Sequence, residues 1–170
     1  MGTAVIELQW RNATEADLPI IDEISNDIHL ALHERAEVFA EKLRLFPAGC
    51  RVLTCSDDIV GYGISHPWRL NSIPQLDRFL GALPADPDCI FIHDVVLLPH
   101  YRGHRAAERF MDIIKAVARE RNILSLALVS VYNTYPLWMR GGFEVVDRPD
   151  LAEKIKSYGE TARYMVHKIR

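Results

Sequence analysis

The sequence has few cysteines and lacks a long hydrophobic run, and each absence excludes a class of protein. Its three cysteines, Cys50, Cys55 and Cys89, form neither a Cys-x-x-Cys pair nor an even disulfide set, so we expect free thiols that pack as small hydrophobic side chains. No apolar run approaches the roughly 18–20 residues that a membrane-spanning helix needs. Residues 1–10 contain no basic segment followed by an apolar one, as a secretion signal would. These features predict a cytoplasmic protein without a membrane partner.

An excess of positive charge is also missing. The 170 residues carry 20 Lys and Arg against 23 Asp and Glu, a formal net charge of −3, whereas nonspecific binding to nucleic acid relies on a basic surface. We therefore expect no nucleic-acid partner. Hydrophobic residues make up 49% of the chain, which excludes a disordered protein and suffices for the core of a single domain over residues 1–170.

Several common ligand motifs are absent as well. The sequence has no Gly-x-x-x-x-Gly-Lys-Ser/Thr loop and no Gly-x-Gly-x-x-Gly after a predicted strand. The motifs that usually indicate ATP or NAD binding are therefore missing. The seven histidines and three cysteines contain no His-Glu-x-x-His or Cys-x-x-Cys zinc motif. We expect no metal ion.

The sequence does contain an alternation of strand-like and helix-like segments, which is typical of a mixed α/β fold. Strands are predicted over residues 4–10, 51–54, 59–66, 89–98, 124–131, 143–146 and 162–169. Helices are predicted after Thr14 and over residues 34–46, 105–121 and 135–140. The connection over residues 67–88 is rich in proline and contains one candidate short helix over 76–83. A connection of this length is typical of a binding loop.

The segment from His93 to Ala107 predicts a strand that ends at Pro99, a short turn, and a helix that begins near Arg105. The first amides of a helix have no intrahelical acceptor and, together with the helix dipole, favour a bound anion. Positive or small side chains occupy the turn and the first helical positions: Arg102, Gly103, His104, Arg105, Ala106 and Ala107. This pattern indicates either a pyrophosphate-binding cradle or a solvated basic turn.

The same six residues resemble the acetyl-CoA signature of the GNAT superfamily of N-acyltransferases, Arg/Gln-x-x-Gly-x-Gly/Ala. Arg105 stands where the family prefers its first glycine, and Ala107 is the permitted alternative at the second. Residues 129–143 are similar to the family's strand-Asn-helix-Gly-Phe element. Shorter segments at 61–63, 65–68 and 162–165 resemble one branch of small GNAT enzymes, so the resemblance covers nearly the whole chain.

This resemblance implies an α/β fold with a mixed, strongly twisted six- to seven-stranded sheet and helices on both faces. It also implies acetyl-CoA as cosubstrate, with the pantetheine arm in a wedge between two parallel strands. Backbone groups for the pantetheine amides would come from Val96, Leu97 and Leu98, and Asn133 would lie near the arm across the wedge.

Trp138 departs from the family pattern, because many members have a tyrosine at this position that protonates the thiolate. An indole has no labile proton at a useful pKa. We therefore expect Trp138 to form a packing wall near the thiol, and either water or a tyrosine, Tyr132 or Tyr135, to donate the proton.

Two polar residues, His93 and Asp94, interrupt an otherwise apolar predicted strand, and strict alternation would place them on opposite faces. A buried carboxylate is costly unless it has a hydrogen-bond donor or lines a wet pocket. Asp94 is therefore either a structural acceptor for loop amides or a general base. By resemblance, this part of the strand faces the acceptor amine, which makes Asp94 the first candidate for the base and His93 the second.

The resemblance also places an acceptor site beside the junction of the first two helices, where His29 and His33 lie, and beside His66 and Trp68 at the end of a neighbouring strand. We expect an N-acetyltransferase that transfers an acetyl group from acetyl-CoA to a primary amine of a small molecule. A CoA-binding module without acyl-transfer activity, and a protein N-terminal or lysine acetyltransferase, are the alternatives. The sequence leaves both a monomer and a homodimer open.

Overall fold

A seven-stranded mixed sheet forms the centre of the protein, with strand order β1-β2-β3-β4-β5-β7-β6 in the computed structural model, which describes residue 2 and residues 4–170. The strands are β1 (Leu8–Asn12), β2 (Cys50–Cys55), β3 (Asp58–Trp68), β4 (Cys89–Leu97), β5 (Ser125–Ser130), β6 (Glu144–Val145) and β7 (Arg163–Lys168). Every neighbouring pair is antiparallel except β4 and β5, which are parallel. The expected mixed sheet is confirmed.

Helices cover both faces of this sheet because its central strands β3, β4 and β5 contain continuous runs of residues that are buried on both faces. The helices are α1 (Leu18–Ile28), α2 (Ala36–Leu45), α3 (Ala106–Glu120), α4 (Tyr135–Arg140) and α5 (Ala152–Lys156). Ile90 and Ile92 of β4 pack against the apolar stripe of α3, which includes Phe110. On the other face, Tyr62 of β3 joins the core formed with α1 and α2, and Phe91 of β4 joins the one that includes residues of α5. Within the described residues no helix is long and apolar enough to cross a membrane.

The connection between β3 and β4 differs from the sequence prediction, because the candidate helix over 76–83 does not form. The backbone amide of Asp77 donates to Glu34 (2.9 Å), and the amides of Leu80 and Gly81 donate to Glu41 (2.6 and 3.1 Å). These amides are thus taken by carboxylates of the α2 region rather than by helical carbonyls. The prediction also missed α5 and started β1 four residues too early.

A β-bulge at His93 changes which side chains share a face. Asp94 pairs with Ile64, but Ser65 pairs with Ile92, so His93 is an extra residue in β4. A bulge resets the alternation of side chains and bends the strand. His93 and Asp94 therefore lie on the same face, toward α1 and α2, and the expectation that they point to opposite faces is wrong.

The bulge coincides with a separation of β4 from β5. The parallel ladder runs from Ile90–Leu126 to Ile92–Leu128 and ends there, although β4 continues to Leu97 with β3 as its sole strand partner. Because a bulge bends the strand that carries it, the bulge accounts for this splay. The opening between the two strands is called the wedge below.

Only alternate residues of β4 direct their backbone groups into the wedge. The amide of Leu98 donates to the Val60 carbonyl (2.9 Å), so the antiparallel register directs the backbone groups of Val96 and Leu98 toward β3. Those of Val95 and Leu97 face the wedge. The expectation that Val96 and Leu98 offer free backbone groups is therefore wrong, and Val95 takes their place beside Leu97.

His66 and Trp68 lie at the end of β3, but neither lines the cavity described below, which corrects their expected place beside the acceptor. The His66 ring is fully buried against the rings of Trp68 and Phe91. Burial, reinforced by the charge of the neighbouring His93, lowers the pKa of His66 to about 3. His66 is therefore a neutral core residue at neutral pH.

Replacing His66 with Phe should reduce the acid sensitivity of folding. The unfolded chain binds a proton at an ordinary histidine pKa near 6.5 while the folded chain does not until about pH 3, so the free energy of unfolding falls with decreasing pH across this window, by up to about 1.4 kcal/mol per pH unit. Urea unfolding between pH 7 and 4 should give a shallower pH slope for His66→Phe. The matched control, His33→Gln at an exposed position, should keep the parental slope; an equal slope in all three proteins would contradict the assignment.

Candidate active site

A cavity of about 660 Å³ occupies the wedge and extends to the connection between α1 and α2. At one end it is lined by the turn between β4 and α3, and at the other by the α1–α2 connection and by Leu76 of the long loop. The two residues at the β4 bulge, His93 and Asp94, also line the cavity. One continuous space thus joins a helix N-terminus to a group of buried acids and imidazoles.

The turn before α3 forms an anion cradle. Arg105 is the residue before the first helical turn and has a left-handed backbone (φ 59°, ψ 20°) with no side-chain cap. Gly103 is also left-handed (φ 81°), and a Cβ added there would meet no atom within 4 Å. The amides of the first α3 turn lack intrahelical acceptors, and Arg102 and Arg105 line the same part of the cavity. This end suits a ligand with phosphate groups.

The other cradle residues predicted from the sequence do not all line the cavity. Ala106 and Ala107 line the cavity, whereas His104 lines a separate surface pocket with residues of the N-terminal segment. Arg102 also fixes the turn to the wedge, because its Nε donates to the Leu97 carbonyl (3.0 Å). The side chains of Val96 and Leu97 line the cavity, and Leu98 does not.

Asp94 is the centre of a hydrogen-bond network that crosses the wedge. The Tyr62 hydroxyl donates to Oδ2 (2.6 Å), and His29 Nε2 lies 2.9 and 3.0 Å from the two carboxylate oxygens. His29 Nδ1 is 2.9 Å from the Tyr132 hydroxyl. Burial of His29 opposes its protonation, but the hydrogen bond and charge of Asp94 outweigh this effect and raise the pKa of His29 above its usual value. The result is a proton-carrying chain from Asp94 through His29 to Tyr132.

A second acid–imidazole pair lies beside the first. His93 Nε2 donates to Glu34 Oε1 (2.6 Å), with both side chains almost fully buried. Although burial alone would raise it, the positive charge and hydrogen bond of His93 lower the pKa of Glu34 to about 2. Because Glu34 Oε2 also accepts the Asp77 amide, this pair holds the long loop against the cavity.

Tyr132 and Asn133 both have left-handed backbones, with φ of 55° and 59°. Such a conformation is costly for a bulky residue and is usually retained where it positions a functional group. It carries the Tyr132 side chain into the cavity lining, while Asn133 is exposed and does not line the cavity. Asn133 thus forms the turn and does not contact the space that it was expected to face.

Trp138 lies on α4 and forms a wall of the cavity. Its ring is nearly fully buried and packs against Phe143 (centroid distance 5.8 Å), and its Nε1 donates to Thr134 Oγ1 (3.3 Å). The indole N–H is therefore occupied. This arrangement suits packing better than proton transfer.

The remaining predicted acceptor residue, His33, is exposed and outside the cavity lining, because the chain turns away between His29 and Glu34. Sequence reasoning missed Tyr62 and Tyr158 as residues of the site. It also missed the pairing of Glu34 with His93 and of Tyr132 with His29. The proximity of Glu34 to the first predicted helix junction was the one local signal. Among the described residues, no group of three or more His, Cys, Asp and Glu side chains has metal-binding geometry.

Solved structures with the same fold are numerous. Ard1 from Thermoplasma volcanium has a TM-score of 0.71 at 15% identity, covering 96% of this chain and 98% of that one. A chain of the NatC complex bound to Gag peptide and CoA has a TM-score of 0.73 at 14% identity, with coverage of 97% and 100%. N-acetylglutamate synthase from Neisseria gonorrhoeae, with coenzyme A and N-acetyl-glutamate, has a TM-score of 0.71 at 19% identity, covering 96% of this chain and 35% of that one.

At such low identities the structural likeness shows a common fold, and it does not show a shared substrate. No curated protein sequence matches the chain. The family model of the GNAT acetyltransferases does match, over residues 7–140, which include the wedge, the cradle and the His93–Asp94 bulge. The chain therefore belongs to the acetyltransferase (GNAT) family.

Proposed function

We propose that the protein transfers an acetyl group from acetyl-CoA to a primary amine of a small molecule. The observation that carries this proposal is the single cavity that joins an anion cradle to buried proton-accepting groups along an unpaired strand edge. Solved structures with this fold bind CoA, which supports a cosubstrate of this type.

The residues of the wedge fit such a cosubstrate. The first amides of α3, with Arg102 and Arg105, would hold the pyrophosphate, and the backbone groups of Val95 and Leu97 would pair with the pantetheine amides. The bound cosubstrate would supply the thioester as acyl donor. Trp138 would exclude water from the reacting sulfur.

Asp94 takes the proton that the acceptor amine must lose before or during attack. Its carboxylate oxygens already accept bonds from His29 and Tyr62, so they are fixed in position at the cavity. His29 then shares the added proton. The Tyr132 hydroxyl, hydrogen-bonded to His29 Nδ1, is the donor that we assign to the departing thiolate.

A compact amine fits better than a protein acceptor. The long loop is tied to Glu34 and Glu41 by three backbone amides, and its Leu76 lines the cavity. The acceptor end is therefore covered. A CoA-binding module without chemistry remains the second candidate, because no tyrosine occupies the α4 position of Trp138.

CoA should bind the protein, and a 3′-dephospho analogue should stabilise it less. Gly103→Val should weaken CoA binding by roughly tenfold or more (about 1.4 kcal/mol), because the added side chain enters the cradle and strains a left-handed residue. Gly159→Val is the matched control, since Gly159 is also left-handed (φ 126°) and open but lies outside the cavity lining. Isothermal calorimetry measures the affinity of both variants for CoA. If the parental protein binds no CoA at millimolar concentration, the proposal that acetyl-CoA is the cosubstrate is wrong.

Asp94→Asn should lower kcat/KM at least about tenfold, because the amide cannot accept the proton. The affinity for CoA should barely change, since Asp94 does not lie in the cradle. Asp57→Asn, at an exposed turn, is the charge-matched control. If Asp94→Asn keeps normal rates and His93→Gln abolishes them, the two roles are exchanged; if neither variant matters, the base lies elsewhere.

Tyr132→Phe should lower kcat by about 10²-fold or more, as loss of a general acid does, while Trp138→Phe should keep much of the turnover. Circular dichroism and CoA titration confirm that each variant is folded and binds CoA. The reverse ranking would show that Trp138 participates in the chemistry and that Tyr132 does not.

A further inference from the structure

The acceptor end of the cavity combines acidic and apolar side chains. We define this end as the part beyond the bulge, lined by the α1–α2 connection and by the long loop. Its carboxylates belong to Glu34 and Asp94. The apolar side chains that line it or the adjacent end of β5 are Ile28, Leu32, Leu76, Val129 and Val131.

The lysine and arginine side chains of the cavity come from other elements than those that line the acceptor end. Among the described residues that line the cavity, the Lys and Arg side chains are Arg102, Arg105 and Arg140. The first two lie in the cradle. Arg140 ends α4 beside α3, because Lys115 of α3 donates to the carbonyl of the next residue, Gly141 (3.3 Å). None of the three belongs to the α1–α2 connection or to the long loop, which line the acceptor end.

The two imidazoles at the acceptor end are also committed. His29 uses one nitrogen for Asp94 and the other for Tyr132. His93 uses Nε2 for Glu34, and its Nδ1, which has no hydrogen-bond partner, is buried below the surface of the site. Each imidazole therefore already serves a carboxylate of this end. A carboxylate on the acceptor would find no unpaired cation there, and an unpaired charge is costly in a buried site.

We propose that the acceptor is a primary amine with an apolar body and no carboxylate, such as an arylalkylamine, and that free amino acids are excluded. This inference rests on the proposed function. The amine of such an acceptor approaches Asp94, which takes its proton, and its apolar body packs against Ile28, Leu32 and Leu76. Specificity then comes from the missing cation as much as from favourable contacts.

Three matched acceptors separate charge from size: phenethylamine, phenylalanine amide and phenylalanine. The amide has nearly the same size as the amino acid but carries no carboxylate. With acetyl-CoA and the parental protein, kcat/KM per neutral amine should be at least about 100-fold higher for the amine and the amide than for phenylalanine.

Two results would overturn the proposal while leaving acetyl transfer intact: equal kcat/KM for phenylalanine and its amide, or product from carboxylate-bearing acceptors alone. The first result would show that the site does not discriminate against the carboxylate of the acceptor. The second would show that the site prefers an acceptor with a carboxylate. Absence of any acetylated product from the three acceptors, in protein that binds CoA, would overturn the proposal together with the proposed function.

A pair of arginine variants tests the same claim within the protein. Leu32→Arg adds a cation to the cavity lining, whereas Leu30→Arg adds the same charge at a position that is 87% exposed and outside the lining. Leu32→Arg should raise the ratio of kcat/KM for phenylalanine to that for phenethylamine by about tenfold or more, and Leu30→Arg should leave it unchanged. An unchanged ratio in folded, CoA-binding Leu32→Arg would contradict the proposal.

Discussion

The early end of pairing between β4 and β5 is the constraint on which the rest of the site depends. Two parallel strands in the middle of a sheet normally satisfy each other's backbone groups along their length. Here the ladder stops at Ile92–Leu128, and the bulge at His93 bends β4 away. The open edge creates the cavity, and the helix that follows β4 places its free amides at one end of it. A space for a long, amide-bearing, phosphorylated ligand is thus a consequence of one inserted residue.

The same bulge concentrates the polar chemistry. By resetting the alternation it directs both His93 and Asp94 toward α1 and α2, where each meets one partner from the connection between those helices. Neither acid is buried alone: Glu34 is paired with His93, and Asp94 with His29 and Tyr62. Because these partners come from separate parts of the chain, the folded protein brings together groups that no local motif contains. The pairs also hold the cover of the cavity, since Glu34 binds the long loop.

Local patterns in the sequence were sufficient for most of the strands and helices and for the turn that precedes α3. The apolar periodicity predicted α3, and the apolar run over residues 89–98 predicted β4; these are the two elements on either side of the cradle turn. The bulge could not be predicted, because one extra residue in a strand leaves the apolar pattern nearly unchanged. For that reason strict alternation placed His93 on the face opposite Asp94. The resemblance named Val96, Leu97 and Leu98 at the wedge, whereas the register directs the backbone groups of Val95 and Leu97 there. The partners Glu34, Tyr62 and Tyr132 depend on tertiary contacts, which spacing alone does not reveal.

Amide hydrogen exchange along β4 tests the central claim most directly, because it reports on the strand edge itself. Exchange is measured residue by residue by NMR, with and without saturating CoA. If the pantetheine arm pairs with the open edge, the amides of Val95 and Leu97 become protected on binding. Those of Val96 and Leu98, which already face β3, change little. Tight binding of CoA that leaves the Val95 and Leu97 amides unprotected would contradict this account of the wedge.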